Sequence, residues 1–246
     1  MKFIWIPINI IQVALIFIWT AVCGILGMVL MLFAWNGIWV HKVNSLYMFS
    51  PVIRAIALVR VKAHGLEKIK RGRSAIYVAN HESLLDILAV ASVMPVGLFY
   101  VAKKELAKVP VMGQYMRFIG HIFIDRKNKV KSMQSMRVAA QKIKAGKSVI
   151  SFPEGTRSKT GNVEMFKLGS FIIAKEGGIS IVPIAIQGSR ELLPSGSFAL
   201  RPGTIHVCIG DEITPDEIQN KTVEQLSEMA RQQVISMLNA SDQFSK

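Results

Sequence analysis

Between Lys2 and His41 the chain carries no Asp, Glu, Lys, Arg or His, and residues 10–35 are almost wholly apolar. A bilayer is crossed by about 20 apolar residues, so this run is long enough to span one or to enter it as a re-entrant hairpin. Inside lipid every backbone N–H and C=O must be satisfied within the segment, which predicts a helix. Gly24 and Gly27 lie near its middle, where a bend would cost little. Trp5, Trp19, Trp35 and Trp39 suit the bilayer interface, although Trp19 would sit deep in a single straight span. A signal peptide has an apolar core of only about 7–15 residues, and a buried core helix of this length would carry a polar face. Both alternatives fit poorly. The expectation is an N-terminal membrane anchor over residues 1–55 and a folded domain over residues 56–246.

Charge narrows the partners. The 246 residues carry 30 Lys+Arg against 16 Asp+Glu, a net charge of +14 that implies an anionic partner. Residues 100–175 hold sixteen basic and four acidic side chains, an excess of +12, whereas residues 176–246 hold five and nine. A basic surface of this size suits anionic lipid or an acidic carrier. No nucleic-acid motif accompanies it and few aromatics interleave it, so a nucleic-acid role is poorly supported. Basic residues following the apolar run place the domain on the cytoplasmic side by the positive-inside rule. With 51% hydrophobic residues the chain is not disordered, and two cysteines exclude a disulfide scaffold.

From about residue 56, short apolar runs alternate with helical patterns. Strands are predicted at 58–63, 75–79, 98–102, 121–124, 148–152, 179–186 and 204–209, and helices at 83–94, 111–119, 128–145, 163–176 and 223–238. This alternation argues for an α/β domain, with a central, mostly buried mixed sheet flanked by helices.

Two turns following predicted strands carry chemistry. The first is Asn80-His81-Glu82-Ser83-Leu84-Leu85-Asp86. On one continuous helix His81 and Asp86 would diverge by about 140°. They meet only if His81 lies outside the helix and Asp86 in its first turns, with Ser83 as N-cap. Asp86 would then fix the imidazole tautomer and leave the other nitrogen as a base. A plainer reading has Ser83 and Asp86 as a capping box that serves only the helix end. The second is Phe152-Pro153-Glu154-Gly155-Thr156-Arg157-Ser158. Gly155 permits a tight turn, Thr156 offers a hydroxyl, and Arg157 offers a fork matched to phosphate oxygens. Read alone, it is also an ordinary turn with a solvated arginine. Lys103 and Arg126 follow two further strands, and basic groups at one end of an α/β sheet can converge on an anion.

Together with Lys103-Lys104-Glu105-Leu106, Pro110, Gly113, Gly120, Phe123-Ile124-Asp125-Arg126 and Val182-Pro183-Ile184, these blocks resemble the glycerolipid acyltransferases with an H-x4-D motif. The likeness is greatest to bacterial lysophosphatidate acyltransferases. It covers residues 80–184 with all four blocks in order, and a hydrophobic anchor is usual there. The resemblance implies His81 as general base, Asp86 as its orienting group, and Lys103, Arg126 and Arg157 as the phosphate-binding set. Glu154, Gly155 and Thr156 would shape the acceptor site. It further implies transfer of a fatty acyl group from acyl-ACP or acyl-CoA to the sn-2 hydroxyl of lysophosphatidate. The partners are then lysophosphatidate, an acyl carrier protein or coenzyme A thioester, and membrane lipids of a bacterial inner membrane. No cofactor or metal is expected. Alternatives are a different acceptor, such as glycerol 3-phosphate or another lysophospholipid, or a non-catalytic anionic-lipid-binding membrane protein. A covalent acyl-enzyme is disfavoured, because no G-x-S-x-G elbow occurs and neither Cys23 nor Cys208 neighbours a motif.

Overall fold

A computed structural model of the chain describes residues 2–34, 37–125 and 127–241, so Trp35 and Arg126 lie outside the described residues. Seven strands, Val59–His64 (β1), Ile76–Ala79 (β2), Leu98–Lys103 (β3), Ile122–Ile124 (β4), Ser148–Ser151 (β5), Ile181–Gln187 (β6) and Gly203–Ile209 (β7), form one sheet. Its order is β1-β7-β6-β2-β5-β3-β4. Strands β6, β2, β5, β3 and β4 run parallel; β7 is antiparallel to β6, and β1 is parallel to β7. The carboxyl ends of five neighbouring strands therefore share one edge, where α/β sheets place their ligands.

Both faces of the sheet are covered. Within β2, Tyr77 and Ala79 enter one core and Ile76 and Val78 the other, as the two-residue strand period requires. The first core is closed by Ser50–Ala57 (α3) and Leu85–Val93 (α4), and the second by Lys129–Lys144 (α6), Gly169–Gly177 (α7), Pro215–Asn220 (α9) and Val223–Ser241 (α10). Met112–Ile119 (α5) leads into β4, and Ser189–Leu192 (α8) follows β6.

The apolar run is one helix, Lys2–Phe33 (α1), followed by Gly37–Val43 (α2). Long and apolar enough to cross a membrane by length and composition, α1 nevertheless lies against the domain. Asn9 donates to the Leu200 carbonyl at 3.0 Å, Gln12 to that of Ile56 at 2.8 Å, and the Trp19 indole to that of Met48 at 3.1 Å. Val13, Ile16 and Trp19 pack on the first core, while Ile10, Phe17 and Ile18 are exposed. The glycines expected to ease a bend serve close approach instead. A methyl group on Gly27 would run into the Tyr115 ring and the Asn44 amide, and one on Gly24 would press on Val111.

Two further sequence expectations change. The helix predicted over 163–176 begins only at Gly169, because side chains of α10 take up main-chain carbonyls of the preceding segment, which has no regular structure. The Arg231 guanidinium donates to the carbonyls of Val163 and Glu164, and the Ser227 hydroxyl to that of Phe166. Leu58, predicted to open a strand, has a φ of 56° and caps α3 in the left-handed region.

Candidate active site

Strand β2 ends at Ala79, and the Asn80 side chain continues its ladder with β6. The Asn80 amide donates to the Ile186 carbonyl at 2.9 Å and accepts from the Ile186 N–H at 2.8 Å. This buried pair of hydrogen bonds lets the next residue leave the strand line. His81 accordingly sits in the β2–α4 turn, outside the helix. Its Nδ1 lies 2.7 Å from Asp86 Oδ2. Asp86 is fully buried in the first turn of α4, and the same oxygen accepts from the Glu82 and Ser83 N–H groups at 2.7 and 2.8 Å. The expected Ser83 N-cap is not found: Leu84 caps α4 without a side-chain bond, and the Asp86 N–H reaches the Ser83 carbonyl rather than its hydroxyl, so Asp86 meets His81 but no capping box forms. The Ser83 hydroxyl instead accepts from the Leu85 N–H and donates to the Leu193 carbonyl at 2.7 Å.

An ionised carboxylate only accepts, so His81 must present Nδ1–H to Asp86, which leaves Nε2 with its lone pair. Nε2 has no hydrogen-bond partner among the described residues, and the side chain is 13% exposed. The ring rests on Phe152, with centroids 4.2 Å apart and planes at 26°.

Strand β5 lies beside β2, so the 152–158 turn neighbours His81. Gly155 has a φ of 76°, the left-handed region that favours glycine, and Thr156 is exposed. Arg157 is half-buried and makes no hydrogen bond or ion pair among the described residues. Ser158 N–H donates to the His81 carbonyl at 2.7 Å. The buried Glu154 accepts from the His81 N–H at 2.7 Å and from the Glu164 N–H at 3.1 Å. Burial raises the Glu154 carboxyl above its ordinary range, against the pull of these two N–H groups. The loop beyond is braced from α8, where the Arg190 guanidinium donates to the carbonyls of Thr160 at 2.6 Å and Lys159 at 2.9 Å.

Glu82 is the electrostatic anomaly. It is only 9% exposed and its side chain makes no hydrogen bond or ion pair among the described residues. Burial, with Asp86 and Glu191 nearby, pushes its carboxyl up to about 8, against a smaller opposing effect of Arg190. The group is therefore mostly protonated at pH 7.

Lys103 ends β3 at the same sheet edge, two strands from β2 and so about 10 Å along the sheet. It is half-exposed, 3.7 Å from the Glu105 carboxylate. Lys104 is committed to Asp125 at 2.6 Å, and Arg126 lies outside the described residues. Among the described residues no cluster of three or more His, Cys, Asp or Glu side chains is arranged to hold a metal ion.

The family model described as acyltransferase matches residues 60–187, a little over half of the chain, and that stretch contains both turns. This chain belongs to the acyltransferase family. It is 34% identical over 184 residues to the 1-acyl-sn-glycerol-3-phosphate acyltransferase of Limnanthes douglasii, covering 74% of this chain and 65% of that one. With the enzyme of the same name from Saccharomyces cerevisiae it shares 30% over 193 residues, covering 77% and 63%. A Chlamydomonas reinhardtii relative of that name is 34% identical over 167 residues, covering 68% and 49%. The chain thus spans about half to two thirds of the length of these curated relatives. The fold resembles the crystal structure of the 1-acyl-sn-glycerophosphate (LPA) acyltransferase PlsC from Thermotoga maritima, with a TM-score of 0.85 and 26% identity. That match covers 98% of this chain and 97% of that one.

Within this acyltransferase-family site, the residues that sequence reasoning missed are those that hold the others. Asn80, beside His81 and directly after a strand, was findable as a buried amide. Arg190 and Glu191 gave no signal, because only the β6–α8 turn brings them to the same edge.

Proposed function

We propose that the protein transfers a fatty acyl group from an acyl thioester to the sn-2 hydroxyl of 1-acyl-sn-glycerol 3-phosphate, forming phosphatidate. The observation that carries this reading is the His81–Asp86 pair at 2.7 Å, which leaves Nε2 without a partner among the described residues, on a turn bonded to the one bearing Arg157. In the reaction Nε2 takes the hydroxyl proton as the oxygen attacks the thioester carbonyl. The C–O bond forms, the C–S bond breaks, and the proton passes from His81 to the departing thiolate. Asp86 keeps Nε2 in the accepting tautomer and stabilises the transient imidazolium.

Arg157 and Lys103, with Arg126 assigned by resemblance, grip the acceptor phosphate. Gly155 and Thr156 shape that wall. Much of the rate arises from alignment of two substrates, which such a clamp supplies. The donor is an acyl carrier protein or coenzyme A thioester, drawn by the basic side chains of residues 100–175. The apolar N-terminal helix is consistent with membrane association, and we assign the site to the cytoplasmic face of a bacterial inner membrane. Because Asn9, Gln12 and Trp19 are tied to the domain, α1 enters lipid by its exposed apolar side rather than by passing through.

The test is purified full-length chain in detergent micelles, given labelled acyl-ACP or acyl-CoA and a panel of acceptors. Transfer that depends on the phosphomonoester is expected. Comparable rates on acceptors without one would remove the clamp from the reading.

A further inference from the structure

Glu154 belongs to the turn assigned to the acceptor, yet both of its oxygens are engaged by main chain. Oε1 accepts from the His81 N–H and Oε2 from the Glu164 N–H, with the residue 4% exposed. A carboxylate so occupied has no donor to offer a phosphate and repels one by its charge. Its hold is on the base. Three residues of this single turn restrain His81: Phe152 lies beneath the ring, Glu154 takes the N–H, and Ser158 N–H binds the carbonyl at 2.7 Å. Arg157 lies between two of them.

We propose that Glu154 is a positioning residue that fixes the backbone of His81, so that the acceptor's cationic anchor and the base move as one rigid unit. The inference rests on the reading of His81 as the base in acyl transfer. Asp86 sets the tautomer and rotation of the imidazole, while Glu154 sets where the residue carrying it stands. Glu164, the second partner, extends the brace into the loop that Arg231 holds against α10.

The experiment compares Glu154→Gln and Glu154→Ala in the full-length chain, with Arg157→Ala as reference and circular dichroism melts confirming folding. The Gln variant keeps one oxygen for His81 and loses the acceptor for Glu164; the Ala variant loses both. Misplacement of a base by about 1 Å costs on the order of 10²-fold. The expected result for Glu154→Ala is a fall of that order in kcat, with the KM for lysophosphatidate changed less than about threefold, and for Glu154→Gln a recovery of most of the loss. A merely structural role would lower stability without this split of kcat from KM and without rescue by the Gln variant. A tenfold rise in KM at unchanged kcat, or wild-type behaviour in both variants, would overturn the proposal. Should the wild-type chain ignore lysophosphatidate but acylate another acceptor, the acceptor assignment fails instead, and the same kcat split on that acceptor judges Glu154.

Discussion

The neutral Glu82 should cost the fold stability that a single isosteric change restores. In the unfolded chain its carboxyl titrates near 4.5; in the fold, burial and the neighbouring Asp86 and Glu191 hold it at about 8. The folded state therefore binds the proton more tightly. Stability from this group is intact below pH 4.5, falls as pH rises between the two values, and levels off above the higher one. At pH 7 the linkage relation gives a loss of about 3 kcal/mol relative to acid, and little is screened because the residue is only 9% exposed. Glu82→Gln removes the titration while keeping shape. It should be about 3 kcal/mol more stable than the wild type at pH 7 and nearly equal to it at pH 4.5. For a chain of this size that corresponds to about 6–12 °C in Tm. Guanidinium unfolding in detergent, followed by circular dichroism across pH 4.5–8.5, measures the difference. A stability difference that stays flat across that range would refute the neutral-carboxyl reasoning.

Removing the base by His81→Ala should lower kcat by about 10²–10⁴-fold with the fold intact, measured by acyl transfer beside a melt. Arg157→Ala should raise the KM for lysophosphatidate with a smaller effect on kcat; an unchanged KM would count against its phosphate role. Asn80→Ala strands the buried N–H and C=O of Ile186, at about 1–3 kcal/mol for each group, and chemical denaturation should register that loss together with reduced kcat. Gly27→Ala forces a methyl group toward the Tyr115 ring and the Asn44 amide, and a destabilisation of about 1–3 kcal/mol is expected in the same assay.

The sheet was readable because its strands are short apolar runs bounded by turn residues. Each of the seven predicted runs overlaps an observed strand, with no end displaced by more than two residues. The H-x4-D geometry was readable too, since a five-residue spacing meets only when the histidine precedes the helix. What the sequence did not yield has a common physical origin in partners distant along the chain. Val163 and Phe166 are spaced like a helical face, but hydrogen bonds from Arg231 and Ser227 engage carbonyls of that segment that a helix would use itself. The short α9 was passed over despite the Thr214–Glu217 capping box and Pro215 at its first turn. Glu82 reads as an ordinary surface acid until α8 brings Glu191 and Arg190 to it. The glycines of the apolar run suggested a bend because nothing local announces that Tyr115 will occupy the space beside Gly27.

The seating of α1 changes what truncation would mean. Because Val13, Ile16 and Trp19 help to close the first core, the helix is a wall of the molecule rather than a leash on it. Cutting the chain ahead of α3 to obtain a water-soluble enzyme would strip cover from Ile53 and Ala57 and leave two carbonyls, at Ile56 and Leu200, without their donors. A better route to solubility keeps all of α1 and replaces only the outward residues, such as Ile10, Phe17 and Ile18, with polar ones.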